Sequence, residues 1–558
     1  MHAADTLVHP VQQRAQDTPE HISLVFIAED GSEHSVTAAG FHQQAASYAQ
    51  ALGSLGIQGE DLVILVLRHS EALMFAFWGA LYLGAIPAIF PFLTEKLDPE
   101  LYMQRVQKLV SHSGAKAVIT FPEFKEELGT LLAGVECMVL STEDVPGVPI
   151  ASEYGAGIRK DQIAFLQHSS GTTGLQKGVA LSHQAVLKQI RAYGEAIDLN
   201  DQDVIVSWLP LYHDMGLIAG FVMPIVTGTP LVLMSPFQWV RDPKILLWAL
   251  HKHKGTLSWL PNFAYNHLAR AVRPQAIEQL DLSSWRAVIN CSEPVYQASH
   301  EQFLDKFKSY GLQENALSVC YAMAENTFAV TQTKLHTAPR VDWVQIETLQ
   351  KERRAQTTLP EMAGSTAIVS CGVPLAGTEL AIVDEKGVHL SDREVGEIVL
   401  KSDCMLSEYY RRPRVTAEAI RDGWYYTGDM GYLADGELYI TGRKKDLIIV
   451  GGKNVYPQDL EAIANEVPGI YPGRAVAFGL FDDRIGSETI VMVAELQKGL
   501  LDDHHGEIER QLRQEIVKRT EVTLADLRLV GDRWLIKTSS GKIARADNRD
   551  KYLSEFRA

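Results

Sequence analysis

Along most of the chain, short unbroken apolar runs alternate with longer stretches in which apolar residues recur every three or four positions. LVILVL at 62–67, AKAVIT at 115–120 and PLVLM at 230–234 have the length and β-branched content of strands buried on both faces. Their alternation with helical spacing predicts α/β layers built on largely parallel sheets. The stretch 72–93 carries no charge and is long enough to span a bilayer, but Gly84, Pro87 and Pro91 interrupt it. It is therefore expected to be a buried helix ending near Gly84, followed by a short strand over 86–90. After Asp446 the texture changes to that of a small α+β unit. RAVAFGL (474–480) and ETIVMVAEL (488–496) read as strands, and a charged helix is expected near 508–520. The change predicts a large domain over 1–442 and a smaller one over 443–558, divided at GRKKD (442–446).

Within this pattern, Ser169-Ser170-Gly171-Thr172-Thr173-Gly174-Leu175-Gln176-Lys177-Gly178 concentrates glycines, hydroxyls and a lysine. Glycine lets backbone approach an anion, hydroxyls and amides donate to its oxygens, and lysine adds a point charge. The composition suits a phosphate clamp, with a solvated turn as the bland alternative. The loop is not that of GTPases, which needs glycine before the lysine and Ser or Thr after it. DQIAFLQH (161–168) precedes it as a buried strand, and the following residues suit a helix opening near Ser182.

At 558 residues the chain exceeds one ordinary core, and 46% hydrophobic with 22% charged content describes a globular protein. A net charge of −17 disfavours nucleic acid or an anionic membrane as the main partner. The five cysteines lack metal-ligand spacing and the N-terminus lacks a signal pattern, so a reduced cytoplasmic setting with no transmembrane segment is expected.

Downstream stand WLPLYHDMGL (208–217), PNFAYN (261–266), SEPV (292–295), YAMAE (321–325), SCG-x-PL (370–375), YYTGD (425–429), GRKKD, YPQDLE (456–461) and TSSGK (538–542). In this order, over nearly the whole chain, they resemble the adenylate-forming superfamily, most closely its fatty acyl-AMP ligases. The resemblance implies ATP and Mg2+ as cofactors, a carboxylic acid as substrate, and a large domain joined to a small mobile one. It assigns the loop from Ser169 to Lys177 to the phosphates, with Thr172, Thr173 and Lys177 over the β and γ groups. Glu325 is implied as the magnesium ligand, and Tyr321 as the adenine stack beside Ala322 and Met323. Ser292, Glu293 and Pro294 are implied to line the nucleotide, and Asp429 to accept the ribose hydroxyls. Arg443 is implied on the ribose and α-phosphate side, and Lys445 as the hinge. Lys542 is expected to carry adenylation. His213, Trp259, Asn262 and Cys291 are implied at the acyl pocket; Trp259 and Cys291 stand where smaller residues are usual. Two readings follow for them: a short tunnel, or ordinary core.

Three acceptors compete: CoA, the phosphopantetheine arm of a separate acyl carrier protein, or water. Cys371 lies 46 positions after Glu325 (371 − 325 = 46), about twice the separation implied by resemblance to acyl-CoA synthetases. The surplus at 341–364 looks like the insertion of fatty acyl-AMP ligases and favours the carrier. The glycine pair in GGKNVYP (451–457) is more like a CoA synthetase. A catalytically silent homologue would be expected to lose Lys542, Glu325 or Asp429, and all three are present.

Overall fold

The computed structural model describes residues 5–93, 99–147, 154–168, 177–450, 453–482, 487–499, 505–520, 522–538 and 541–557. Two large sheets, rich in parallel strands, dominate. In one, six neighbouring strands are parallel, in the order Leu317–Ala322, Ala287–Cys291, Leu257–Leu260, Ile205–Ser207, Leu231–Met234 and Ile22–Ile27. Ala329–Gln332 and Glu33–Thr37 flank them in the antiparallel sense. In the other, Ile163–His168, Ile86–Ile89, Leu62–Val66, Ala117–Thr120 and Met138–Ser141 are parallel. Gly178–Ser182 and Glu408–Tyr409 extend its edge antiparallel.

Strand Leu62–Val66 shows why its sequence has no polar face. Val63 and Leu65 enter the central core shared with the larger sheet, while Leu62, Ile64 and Val66 enter a second core under helices Pro99–Ser113 and Pro122–Leu131. The charge-free stretch resolves as expected, into helix Glu71–Tyr82 and strand Ile86–Ile89. The helix is buried on all sides, which removes any need for a polar stripe. Gly79 makes this packing possible: a Cβ there would stand 2.5 Å from Cβ of Tyr48 on the neighbouring helix. No described helix is long and apolar enough to cross a membrane.

Two features go beyond the sequence reading. The residues after the glycine-rich loop first form strand Gly178–Ser182, and only then helix His183–Ala196, capped by Ser182 Oγ as expected. A third, antiparallel sheet of Thr378–Val383, Gly396–Ser402, Trp424–Ala434, Ile420–Arg421 and Glu437–Arg443 adjoins the two large ones. The C-terminal α+β region follows the expected pattern, with strands Ile470–Asp482, Ser487–Leu496 and Leu524–Val530 and helices His505–Thr520 and Arg545–Phe556. It has cores of its own, one around Leu460, Ile490 and Leu512 and another around Phe478 and Tyr552.

Candidate active site

The third sheet brings the first site pair together. Asp429 and Arg443 are Cα partners on adjacent antiparallel strands, and Arg443 Nε lies 3.0 Å from Asp429 Oδ1. The other carboxylate oxygen accepts the Tyr321 hydroxyl at 2.7 Å. Asp429 keeps the Arg443 guanidinium charged, pushing its pKa further up. The carboxylate is thus aimed by two groups from different sheets. Tyr321 ends its strand with Ala322, and Met323 donates its N–H to Phe328 O at 2.8 Å.

Glu325 sits in the short turn Ala324–Asn326 that follows. Its Oε1 accepts the Tyr409 hydroxyl at 2.8 Å, and Tyr409 in turn lies 3.0 Å from the Tyr425 hydroxyl. Burial pushes the Glu325 carboxyl above its ordinary range, the Tyr409 O–H opposes this, and the neighbouring charges of Asp214 and Arg443 act in opposite senses. Lys177, the first residue of the glycine-rich stretch inside the described residues, holds its ammonium 4.9 Å from the centre of the Tyr409 ring. Ser169, Ser170, Gly171, Thr172, Thr173 and Gly174 lie outside the described residues.

Lys542 belongs to the C-terminal region, and its carbonyl accepts Thr538 N–H at 2.8 Å. Its charge acts on three partly buried groups at once: His213, Asp214 and Glu293. Burial pushes both carboxyls up, and Lys542 opposes that in each. His213 is pushed down to about 3, first by burial and then by Lys542, so its ring is neutral at ordinary pH. Asp214 is fixed by accepting Met215 N–H at 2.8 Å, and Glu293 by accepting Phe263 N–H at 2.9 Å. The turn that presents Glu293 has Ser292 at φ +70°, a backbone a serine seldom adopts, with Pro294 following it.

The acyl-pocket candidates are held by the protein itself. Trp259 is fully buried and its indole N–H donates to Tyr193 Oη at 2.7 Å. Asn262 Nδ2 donates to Ser299, and its Oδ1 accepts from Asn290 and from Tyr296 N–H. Cys291 is buried with Sγ 3.5 Å from Ser292 Oγ. Lys445 is exposed in the turn Lys444–Asp446. Thus Glu325, Asp214, Glu293 and Lys542 form one electrostatic chain, joined through Arg443 to Asp429 and through Tyr409 to Lys177.

Sequence reasoning missed Tyr409, Tyr425 and Asp214. Asp214 stood beside His213 in a quoted motif, a signal that could have been used. Tyr409 carried none, since only its strand pairing brings it to the site.

A family model described as AMP-binding enzyme matches residues 11–410. The medium-chain-fatty-acid–[acyl-carrier-protein] ligase JamA of Moorena producens is 31% identical over 513 residues, covering 88% of this chain and 85% of its own. The long-chain-fatty-acid–AMP ligase FadD32 of Mycolicibacterium smegmatis is 31% identical over 575 residues, covering 94% and 90%. A solved structure from work on fatty acyl-adenylate ligases of E. coli and L. pneumophila superposes with a TM-score of 0.91 at 28% identity, covering 100% of this chain and 98% of that one.

Proposed function

The chain belongs to the AMP-binding enzyme family, and from that premise we propose that it joins a fatty-type carboxylic acid to ATP, giving acyl-AMP and pyrophosphate, and then passes the acyl group to the thiol of a separate carrier protein. The observation that carries the reading is the convergence of three cations from distant segments: Lys177 over the Tyr409 ring whose hydroxyl bonds Glu325, Arg443 paired with Asp429, and Lys542 with its charge acting on Asp214. Bringing a carboxylate to a triphosphate requires cations at the phosphates and at the reacting oxygens, and fixed acceptors for ribose and metal.

In this reading Asp429, aimed by Tyr321 and Arg443, accepts the two ribose hydroxyls. Lys177 faces the β- and γ-phosphates. Lys542 neutralises the acid's oxygen and the α-phosphate as the carboxylate attacks phosphorus in line and pyrophosphate leaves. His213, neutral and partly buried, shapes the mouth without taking a proton. Mg2+ fits the donor set: Glu325 offers hard oxygen, and one carboxylate plus phosphate oxygens is a sufficient protein contribution for that ion. When bound, it would neutralise charge building on the phosphates.

The carrier acceptor is supported by the name of the Moorena relative and by contacts of the surplus segment. Asn454 Nδ2 donates to Gln350 O at 3.0 Å, and Val344 and Leu349 share an apolar cluster with Tyr456. These tie the segment to residues beyond the expected domain boundary. Acid-dependent pyrophosphate release by the purified protein, with mass spectrometry of AMP esters from a panel of acids, tests the activation step. Absence of release with every acid would overturn it.

A further inference from the structure

The short strand Glu408–Tyr409 takes no part in the roles assigned above, yet it touches two of the site's segments at once. It pairs antiparallel with Gly178–Ser182, the strand that begins directly after Lys177, with Tyr409 opposite Val179. Ser407 N–H and Tyr410 N–H donate to Ala180 O and Gly178 O, each at 2.8 Å. On its other side, Leu406 N–H donates to Glu325 O at 2.8 Å. Segment 406–410 is thus a strap bonded through its backbone to both the Lys177 strand and the Glu325 turn.

The Tyr409 side chain repeats this double attachment. Its ring lies 4.9 Å below the Lys177 ammonium, inside the range of cation–π attraction. Its hydroxyl donates to Glu325 Oε1 at 2.8 Å. A phenol donates once, so the bond to Tyr425 at 3.0 Å uses Tyr425 as donor and Tyr409 as acceptor. Tyr425 belongs to the same strand as Asp429, so the hydroxyl pair also reaches the ribose side. Tyr409 is 3% exposed, which leaves its ring and hydroxyl one orientation.

We infer that Tyr409 is a positioning residue that fixes Lys177 and Glu325 relative to each other, and so sets the geometry in which the triphosphate is held. The inference rests on the phosphate and metal roles proposed above for those two residues. It has a specific consequence. Once pyrophosphate has left, neither group has a β- or γ-phosphate to hold, so Tyr409 should matter for acyl-AMP formation and not for acyl transfer.

The test uses the full-length protein with Tyr409→Phe, which keeps the ring and removes the hydroxyl, and Tyr409→Leu, which removes both. Four quantities are read: calorimetric affinity for a non-hydrolysable ATP analogue with Mg2+, steady-state pyrophosphate release against ATP and against acid, transfer from preformed acyl-AMP, and melting temperature. Tyr409→Phe is expected to weaken analogue binding or kcat/KM for ATP by about tenfold or more, as for loss of a hydrogen bond to a charged group. KM for the acid and the transfer rate should stay within about twofold, and Tyr409→Leu should bind the analogue more weakly again. Unchanged ATP parameters in Tyr409→Phe, or equal loss in both half-reactions together with a lowered melting temperature, would overturn the inference. Analogue binding needs no acid. Its loss in Tyr409→Phe would sustain the positioning role even if the parent protein activated none of the acids tried, an outcome that removes only the acid-activating reading.

Discussion

The charge of Lys542 acts on His213, Asp214 and Glu293 together, so its removal should be felt where charge builds between acid and α-phosphate. Lys542→Ala is expected to lower acyl-AMP formation by about a hundredfold or more while sparing transfer from preformed acyl-AMP. Equal loss in both half-reactions would remove that role. Trp259 presents a different case, because its indole fills core and also donates to Tyr193. Trp259→Gly is expected to shift acid preference toward longer chains and to cost about 3–5 kcal/mol of stability. An unchanged chain-length profile with a lowered melting temperature would make Trp259 core alone. Asp459 supplies a pH handle: burial, and then Glu461, push its carboxyl up to about 7. The folded state therefore keeps the proton between about pH 4 and 7 while the unfolded chain releases it, so stability falls as pH rises through that window. Asp459→Asn should raise the melting temperature at pH 8 and leave it little changed at pH 4.

The surplus segment is integrated as two elements rather than added as a loop. Strand Val341–Gln345 pairs with Ser365–Val369, and helix Ile346–Lys351 follows the first strand. Asp342 accepts from Arg393 and from the Tyr432 hydroxyl, and Val344 and Leu349 complete a cluster with Tyr432, Tyr439 and Tyr456. Deleting 341–364 would strip a strand from its partner and uncover that cluster. A narrower change is therefore the better probe. Asn454→Ala removes the donor to Gln350 O and is expected to loosen this contact by about 1 kcal/mol. Acyl-CoA formation should rise severalfold while adenylation stays constant. No rise would separate the segment from acceptor choice.

For the whole molecule, the proposed choice of acceptor turns on which arrangement of the two regions is populated. In the present one the charge of Lys542 acts on Asp214 and Glu293, and Tyr296 Oη donates to Gln458 O across the same junction at 3.4 Å. A swing about Lys445 is proposed between the two half-reactions. A bias of about 2.7 kcal/mol against the thiol-accepting pose would reduce it roughly a hundredfold, and docking of a carrier protein could offset that where free CoA cannot. The intact protein should therefore acylate a carrier thiol much faster than CoA. Acyl-CoA synthesis at a rate matching adenylation would place it with acyl-CoA synthetases.

The sequence by itself determined the elements whose cause is local. Leu62–Val66 is apolar throughout because both of its faces are buried, and Ser182 caps a helix because its hydroxyl meets Ala185 N–H three residues on. It also carried the motif residues Asp429, Arg443, Glu325 and Lys542. Tertiary structure alone decided which partners these residues have. Tyr409 and Glu325 are separated by 84 positions, and Tyr321 and Asp429 by 108. Such pairs depend on strand register and on the closing of sheets against one another, and no periodicity of the chain encodes them. The same holds for Trp259, whose indole N–H finds Tyr193 only because a strand and a distant helix pack side by side in the core.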